Sequence, residues 1–329
     1  MVQIPNYGFR DIWACSFIPF FAQAWFCGNP KWSTKEIPDL SGKKVIVTGG
    51  NAGIGKETTK ALLEHNANVY IACRDSKKAE DAIEELHLKT GKKAIFLRMD
   101  LSDLKSVKAA AKEFMSKEKE LHILFNNAGV MFTPMEQLAN GHDLQMHTNV
   151  VGPFYFTKLL LPILISSAKN APDGKVRVIT TSSSGHYIAR ANPLNFNTFK
   201  DGPARAKYTP HDMYIQSKFA NIVFAQELAR LYEDRGIVST SVNPGNLKTD
   251  LNRHINNFFE AFLLRFLQLY PADMGALTQL WAGTSHEGVG LGGKYLIPWA
   301  KIGVPREESL DPQLGKDLWT WLEEQVEGV

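Results

Sequence analysis

From Leu40 onward, short β-branched apolar runs alternate with stretches of helical length, and no other feature limits the fold as strongly. "KKVIVTGG" (Lys43 to Gly50) precedes a helical stretch from Ile54 to His65. "ANVYIACR" (Ala67 to Arg74) precedes "SKKAEDAIEELHLKTG", a helix closed by Gly91. "AIFLRMD", "LKSVKAAAKEFMSK" and "HILFNNAG" repeat the pattern. A long helical stretch, "GHDLQMHTNVVGPFYFTKLLLPILISSA", then leads to "KVRVITTSSS", to a helix around Tyr214, and to "IVSTSVNPG". Strands that are apolar nearly throughout, separated by helices, belong to a parallel sheet covered on both faces. The expected fold is therefore α/β, a doubly wound (Rossmann) parallel sheet. No linker-like stretch divides it, so one domain is expected over 40–329, preceded by an apolar N-terminal extension over 1–39.

The first strand-to-helix turn, "TGGNAGIG", places Gly49, Gly53 and Gly55 around Asn51 and Ile54. Glycines at such a junction allow a sharp turn and let backbone approach a pyrophosphate at the positive end of the helix. A tight turn without a ligand is the plainer alternative. The end of the second strand bears on cofactor choice. An acidic residue there would hold a ribose 2′-hydroxyl, but the chain has Cys73 and Arg74, with Lys77 and Lys78 nearby. A guanidinium suits a 2′-phosphate, which favours NADP (NADPH) over NAD. The plainer alternative pairs Arg74 with Asp75 at the surface.

Composition narrows the rest. The 37 basic and 34 acidic residues leave a net charge of +3, scattered along the chain, which does not point to nucleic acid. Cys15, Cys27 and Cys73 form no CxxC pair, which suits a reduced, cytoplasmic chain. The nine histidines show no HExxH or HxH clustering, so no metal site is expected. The uncharged, aromatic stretch from Ile12 to Pro30 stands apart. Three readings of it stand open: an anchor to endoplasmic reticulum or another lipid surface, a segment packed on its own domain, and a cleaved signal.

"MYIQSKFAN" puts Tyr214 and Lys218 four residues apart, on one face of a helix. By itself the spacing fits a catalytic pair or two unrelated surface residues. Together with the glycine turn, Asn126-Asn127-Ala128-Gly129 and Ser182-Ser183, it makes the chain from Leu40 to its end resemble the short-chain dehydrogenase/reductase family. "ACRD", "MYIQSKFANIVFAQELA" and "NPGNLKTDL" make it similar to the branch of retinol dehydrogenases and WW-domain oxidoreductases.

The resemblance implies a catalytic tetrad of Asn149, Ser183, Tyr214 and Lys218. It further implies that Asp100 holds the adenine amino group, that Asn127 lies beside the adenosine ribose, and that Pro244 and Thr249 flank the nicotinamide. Tyr214 would carry the proton, Ser183 would bind the substrate oxygen, and Lys218 would lower the phenol pKa and bind the cofactor ribose. Asn149 would hold a water leading to solvent. The implied activity is oxidoreduction between an apolar carbonyl and its alcohol. The rivals on the same fold are a non-catalytic dinucleotide sensor and a lipid-surface scaffold. Between Ser183 and Tyr214 a long insertion is expected to border the substrate pocket. The apolar face of Phe258, Phe259, Phe262, Leu263, Phe266 and Leu267 fits either a substrate lid or core packing. Substrate identity and oligomeric state are open.

Overall fold

The structure, a computed structural model, describes residues 18–247 and 269–329. Its helices are α1 (18–25), α2 (Gly53–Glu64), α3 (Ser76–Thr90), α4 (Leu104–Lys117), α5 (Leu144–Asn170), α6 (Pro210–Tyr232), α7 (Ala272–Thr284) and α8 (Pro312–Gln325). Its strands are β1 (Lys44–Thr48), β2 (Asn68–Cys73), β3 (Ile95–Arg98), β4 (Ile123–Asn126), β5 (Leu138–Ala139), β6 (His142–Asp143), β7 (Val176–Thr181), β8 (Ile237–Val242), β9 (Tyr295–Ile297) and β10 (Lys301–Gly303).

Eight strands form one sheet in the order β10-β9-β8-β7-β4-β1-β2-β3. All neighbours are parallel except β9 and β10. The chain runs outward from β1 to β3, then returns to place β4 on the other side of β1. That reversal opens a crevice at the carboxyl ends of β1 and β4, where doubly wound sheets bind ligands. The expected α/β doubly wound fold is the observed one.

Burial on both faces explains the unbroken apolar strands. In β1, Val45 and Val47 join a core with Leu62, Ile71, Phe125 and Trp299, while Ile46 joins the opposite core with Leu97, Phe114, Phe154 and Phe224. Helices α2 and α7 pack together over the first face, and α4, α5, α6 and α8 cover the second. By length and composition α5 could cross a membrane, but 72% of its apolar window is buried inside this core.

Two local readings change. "GHDLQM" does not begin a helix, because Asn140 (φ 51°) and Gly141 (φ 75°) make a two-residue turn joining β5 to β6. Asn-Gly supplies the two positive φ values that such a hairpin needs. Helix α5 also contains a π turn, His147–Val151, which carries Asn149.

Residues 18–28 of the apolar segment are docked on the domain. Ala24 and Cys27 are buried, Lys301 Nζ donates to the Cys27 carbonyl at 2.8 Å, and Trp299 Nε1 donates to the Gly28 carbonyl at 3.1 Å. Ile18, Phe21 and Phe26 remain exposed. Trp13, Cys15 and Phe17 lie outside the described residues. In the insertion, Arg205 reaches Asp143 at 2.8 Å with both side chains buried, and Arg190 clamps Asp212 at 2.7 Å.

Candidate active site

The glycine turn leaves β1 and enters α2. Gly49 (φ 67°) and Gly53 (φ 49°) occupy the left-handed region. Gly55 is required for another reason: a Cβ there would lie 2.3 Å from the Gly49 carbonyl oxygen and 2.7 Å from Asn127 Nδ2. Helix α2 starts after Ala52, which offers no side-chain acceptor to the first-turn amides. Those amides, flanked by Asn51 and Ile54, thus face the crevice as donors for an anion.

Asn127 is fixed by Thr48. The Thr48 hydroxyl accepts from the backbone N–H of Asn127 and of Ala128, each at 2.9 Å, and Asn127 Nδ2 donates to the Thr48 carbonyl at 2.9 Å. The Asn127 side chain and its N–H are therefore spent on joining β1 to the turn after β4. Thr48 escaped the sequence reading; its signal was one hydroxyl closing an otherwise apolar strand.

Arg74 follows β2 and is exposed. Asp75 does not pair with it: its carboxylate caps α3 by accepting from the Lys78 N–H at 3.0 Å. Among the described residues, Arg74 has no acidic partner, which removes the plainer reading of Arg74 with Asp75. Asp100 follows β3, and its Oδ1 accepts from both the N–H and the hydroxyl of Ser102, at 2.9 and 2.7 Å.

Tyr214, Lys218, Ser183 and Asn149 converge where β4 and β7 end. Helix α6 begins with a capping box in which Thr209 and Asp212 satisfy each other's backbone N–H. That register turns Tyr214 and Lys218 inward, and both are buried. Lys218 Nζ lies 5.7 Å from the centroid of the Tyr214 ring and donates to the Thr181 carbonyl at 3.0 Å. Burial pushes the Tyr214 phenol up to about 12, opposed by its interaction with Ser183, and pushes Lys218 down to about 8. Burial outweighs the Ser183 interaction, so the phenol stands above its ordinary value, and the Lys218 ammonium is directed at Thr181.

Among the three neighbouring serines, Ser182 donates to the Lys218 carbonyl at 2.6 Å and Ser184 is buried, whereas Ser183 is half-buried beside Tyr214. The Ser183 hydroxyl also accepts from the Gly185 N–H at 3.1 Å. Asn149 grips Val130, accepting from its N–H at 2.8 Å and donating to its carbonyl at 2.9 Å. Its Nδ2 also donates to Ser217 Oγ at 2.9 Å, and that hydroxyl donates to the Tyr214 carbonyl at 2.7 Å. Through Ser217, the Asn149 side chain thus braces the backbone that carries Tyr214.

Phe132 is a second residue the sequence reading missed. Its φ of 53° is strained for a bulky residue, and Gln145 Oε1 fixes its N–H at 2.8 Å. The ring stands edge-on to Tyr214 at 5.3 Å. Pro244 lies in the turn after β8, where Asn243 Oδ1 accepts from the Gly245 N–H at 3.0 Å. Thr249 and the face from Phe258 to Leu267 lie outside the described residues. Among the described residues no cluster of His, Cys, Asp or Glu could hold a metal ion.

Comparison with known proteins identifies the family. The profile of the short chain dehydrogenase family matches residues 43–193. A short-chain dehydrogenase/reductase of Armillaria gallica is 57% identical over 301 residues, which cover 91% of this chain and 95% of that one. Retinol dehydrogenase 11 of Mus musculus is 38% identical, covering 78% of each chain. The structure of Pseudomonas aeruginosa RhlG in an active-site complex with NADP superposes with a TM-score of 0.63 at 24% identity, covering 82% of this chain and 98% of that one. The chain belongs to the short-chain dehydrogenase/reductase family, in its retinol dehydrogenase-like branch, and is an oxidoreductase acting on CH–OH groups.

Proposed function

We propose that this protein interconverts an apolar aldehyde or ketone and its alcohol, using NADP(H). The observation that carries the reading is the meeting of Tyr214 with Ser183 and Lys218 beside the crevice. A phenol, a hydroxyl and an ammonium gathered there suit proton exchange with a carbonyl oxygen. The described residues fit the cofactor: positive-φ glycines at Gly49 and Gly53, uncapped amides at the start of α2, and an unpaired guanidinium at Arg74. When bound, the nicotinamide supplies or accepts the hydride.

The chain's own part is binding and proton management. Gly49, Asn51, Gly53, Ile54 and Gly55 cradle the pyrophosphate, Arg74 pairs with the 2′-phosphate, and Asp100 takes the adenine amino group. The Asn127 backbone, Pro244 and Thr249 line the remainder, and Lys218 binds the ribose. In reduction Tyr214 gives its proton to the substrate oxygen, and in oxidation it takes one. Ser183 hydrogen-bonds that oxygen as charge develops on it. Asn149 holds the Val130 backbone and the Ser217 hydroxyl around the pair. An apolar substrate is supported by Phe132 standing edge-on to Tyr214 and by a relative named for retinol.

The test is a panel of aliphatic, aromatic and isoprenoid aldehydes and ketones, run with NADPH and with NADH while following the absorbance of the reduced cofactor. Turnover of apolar members, faster with NADPH, is expected. Binding of NADPH with no turnover of any member would reject the catalytic reading in favour of a sensor.

A further inference from the structure

Within the uncharged stretch from Ile12 to Pro30, Gln23 is an amide set among aromatic and small residues. It is buried, at 7% exposure, and its side chain is used at both ends. Gln23 Nε2 donates to the Tyr187 hydroxyl at 2.8 Å. Gln23 Oε1 accepts from Asn243 Nδ2 and from the Tyr295 hydroxyl, each at 3.1 Å. An amide oxygen has two lone pairs, and both are occupied.

These partners stand on the loops that flank the reaction site. Asn243 follows β8, and its own Oδ1 holds the Gly245 N–H, so Gln23 fixes the amide that shapes the turn carrying Pro244. Tyr187 follows Ser183 and in turn donates to the Val304 carbonyl. The Tyr187 ring packs on His186 at 4.0 Å between centroids. His186 Nε2 accepts the Arg306 N–H at 3.2 Å, so the ring proton sits on Nδ1 and is donated to the Ser183 carbonyl at 2.7 Å. An unbroken run of contacts therefore links Gly245, Asn243, Gln23, Tyr187, His186 and Ser183. Removing Gln23 would leave buried donors on Asn243 and Tyr295 without their acceptor, the costly kind of loss.

We infer that Gln23 is a positioning residue: through one amide, the N-terminal segment ties the loop after β7 to the loop after β8 and so sets the Ser183 side of the active site. This inference rests on the proposed function for its kinetic arm only. Gln23 touches none of the reacting groups itself and acts through Tyr187 and Asn243.

The experiment compares full-length wild type with Gln23→Leu, which removes both functions, and Gln23→Glu, which keeps the acceptor. Hydrogen exchange of the protein alone is the first readout. In Gln23→Leu, exchange should quicken at least tenfold in the segments 183–189 and 243–247, with α6 and β4 unchanged; Gln23→Glu, which loses only the donor to Tyr187, should quicken 183–189 and leave 243–247 within about threefold of wild type. The second readout is kinetic, on the best substrate of the panel. Gln23→Leu should lower kcat at least tenfold with NADPH affinity, read by tryptophan quenching, within about threefold. Equal exchange in all three proteins, or an unchanged kcat in Gln23→Leu, would overturn the inference. If Gln23→Leu does not fold, Tyr187→Phe takes its place, with faster exchange over 183–189 expected and unchanged exchange overturning. Wild type inactive on every substrate would reject the proposed function while leaving the exchange result to decide the role of Gln23.

Discussion

The Lys218 ammonium donates to the Thr181 carbonyl at 3.0 Å, and Thr181 is the last residue of β7. The same carbonyl accepts from Asn221 Nδ2 at 3.1 Å. One strand end thus holds two residues of α6 and sets where Lys218 stands against the sheet. Ser182, the next residue, returns the contact by donating to the Lys218 carbonyl. Ser183 then emerges beside Tyr214, so strand and helix are in register before any ligand arrives.

Tyr214→Phe is expected to reduce turnover by about two to four orders of magnitude, the range of a lost general acid or base. NADPH affinity, measured by fluorescence titration, should stay near wild type because the ring still packs against Phe132. Lys218→Met should reduce both turnover and affinity. Near-normal turnover in Tyr214→Phe would assign the proton to another group.

For Arg74→Ala, the loss should fall on NADPH and spare NADH. Arg74 has no acidic partner among the described residues, so no carboxylate among them competes with a 2′-phosphate. A charge-assisted hydrogen bond of this kind contributes roughly 1.5–3 kcal/mol, or about ten- to a hundredfold in affinity. Parallel titrations with both cofactors decide it, and equal losses would make Arg74 structural.

Gly55→Ala tests the close approach of α2 to β1. The added methyl meets a backbone carbonyl, which cannot swing aside as a side chain could. Overpacking of this kind costs about 1–3 kcal/mol, so thermal denaturation should show a lower Tm and NADPH binding should weaken. An unchanged Tm would mean that α2 stands farther from Gly49 than described.

Stability should fall as the solution is acidified from about pH 6.5 to 4. Burial pushes both His147 and His186 down to about 4 from an ordinary value of 6.5. Between those values the unfolded chain binds protons that the folded chain refuses, so stability rises with pH across the window. It is fully present above 6.5 and lost toward 4. Holding one such ring neutral contributes on the order of 3 kcal/mol. Urea denaturation at a series of pH values reads the slope, and His186→Gln should flatten it; a flat wild-type profile would contradict the burial of both rings.

Much of this was legible in the chain itself, for physical reasons that can be named. Strands β1, β2 and β4 are buried on both faces, so most of their residues had to be apolar in succession. The short strands β9 and β10, of three residues each, offer too few positions for any pattern. The π turn around Asn149 changes hydrogen-bond register without changing residue type, so it leaves no mark in composition. Thr48 and Gln23 act through single hydroxyl or amide groups whose partners are distant in sequence. Phe132 reads as an ordinary apolar residue until its backbone angle is known.

The docking of Gln23 also fixes an order of events during synthesis. Its partners Tyr187, Asn243 and Tyr295 lie 164, 220 and 272 residues downstream. At about 5–20 residues per second, roughly 15–50 seconds separate the making of Gln23 from the making of its last partner. For that interval the aromatic segment has no seat to occupy, although it is made well before its partners. Its residues wait for the rest of the domain to be placed, and until then their apolar side chains are open to whatever meets nascent polypeptides.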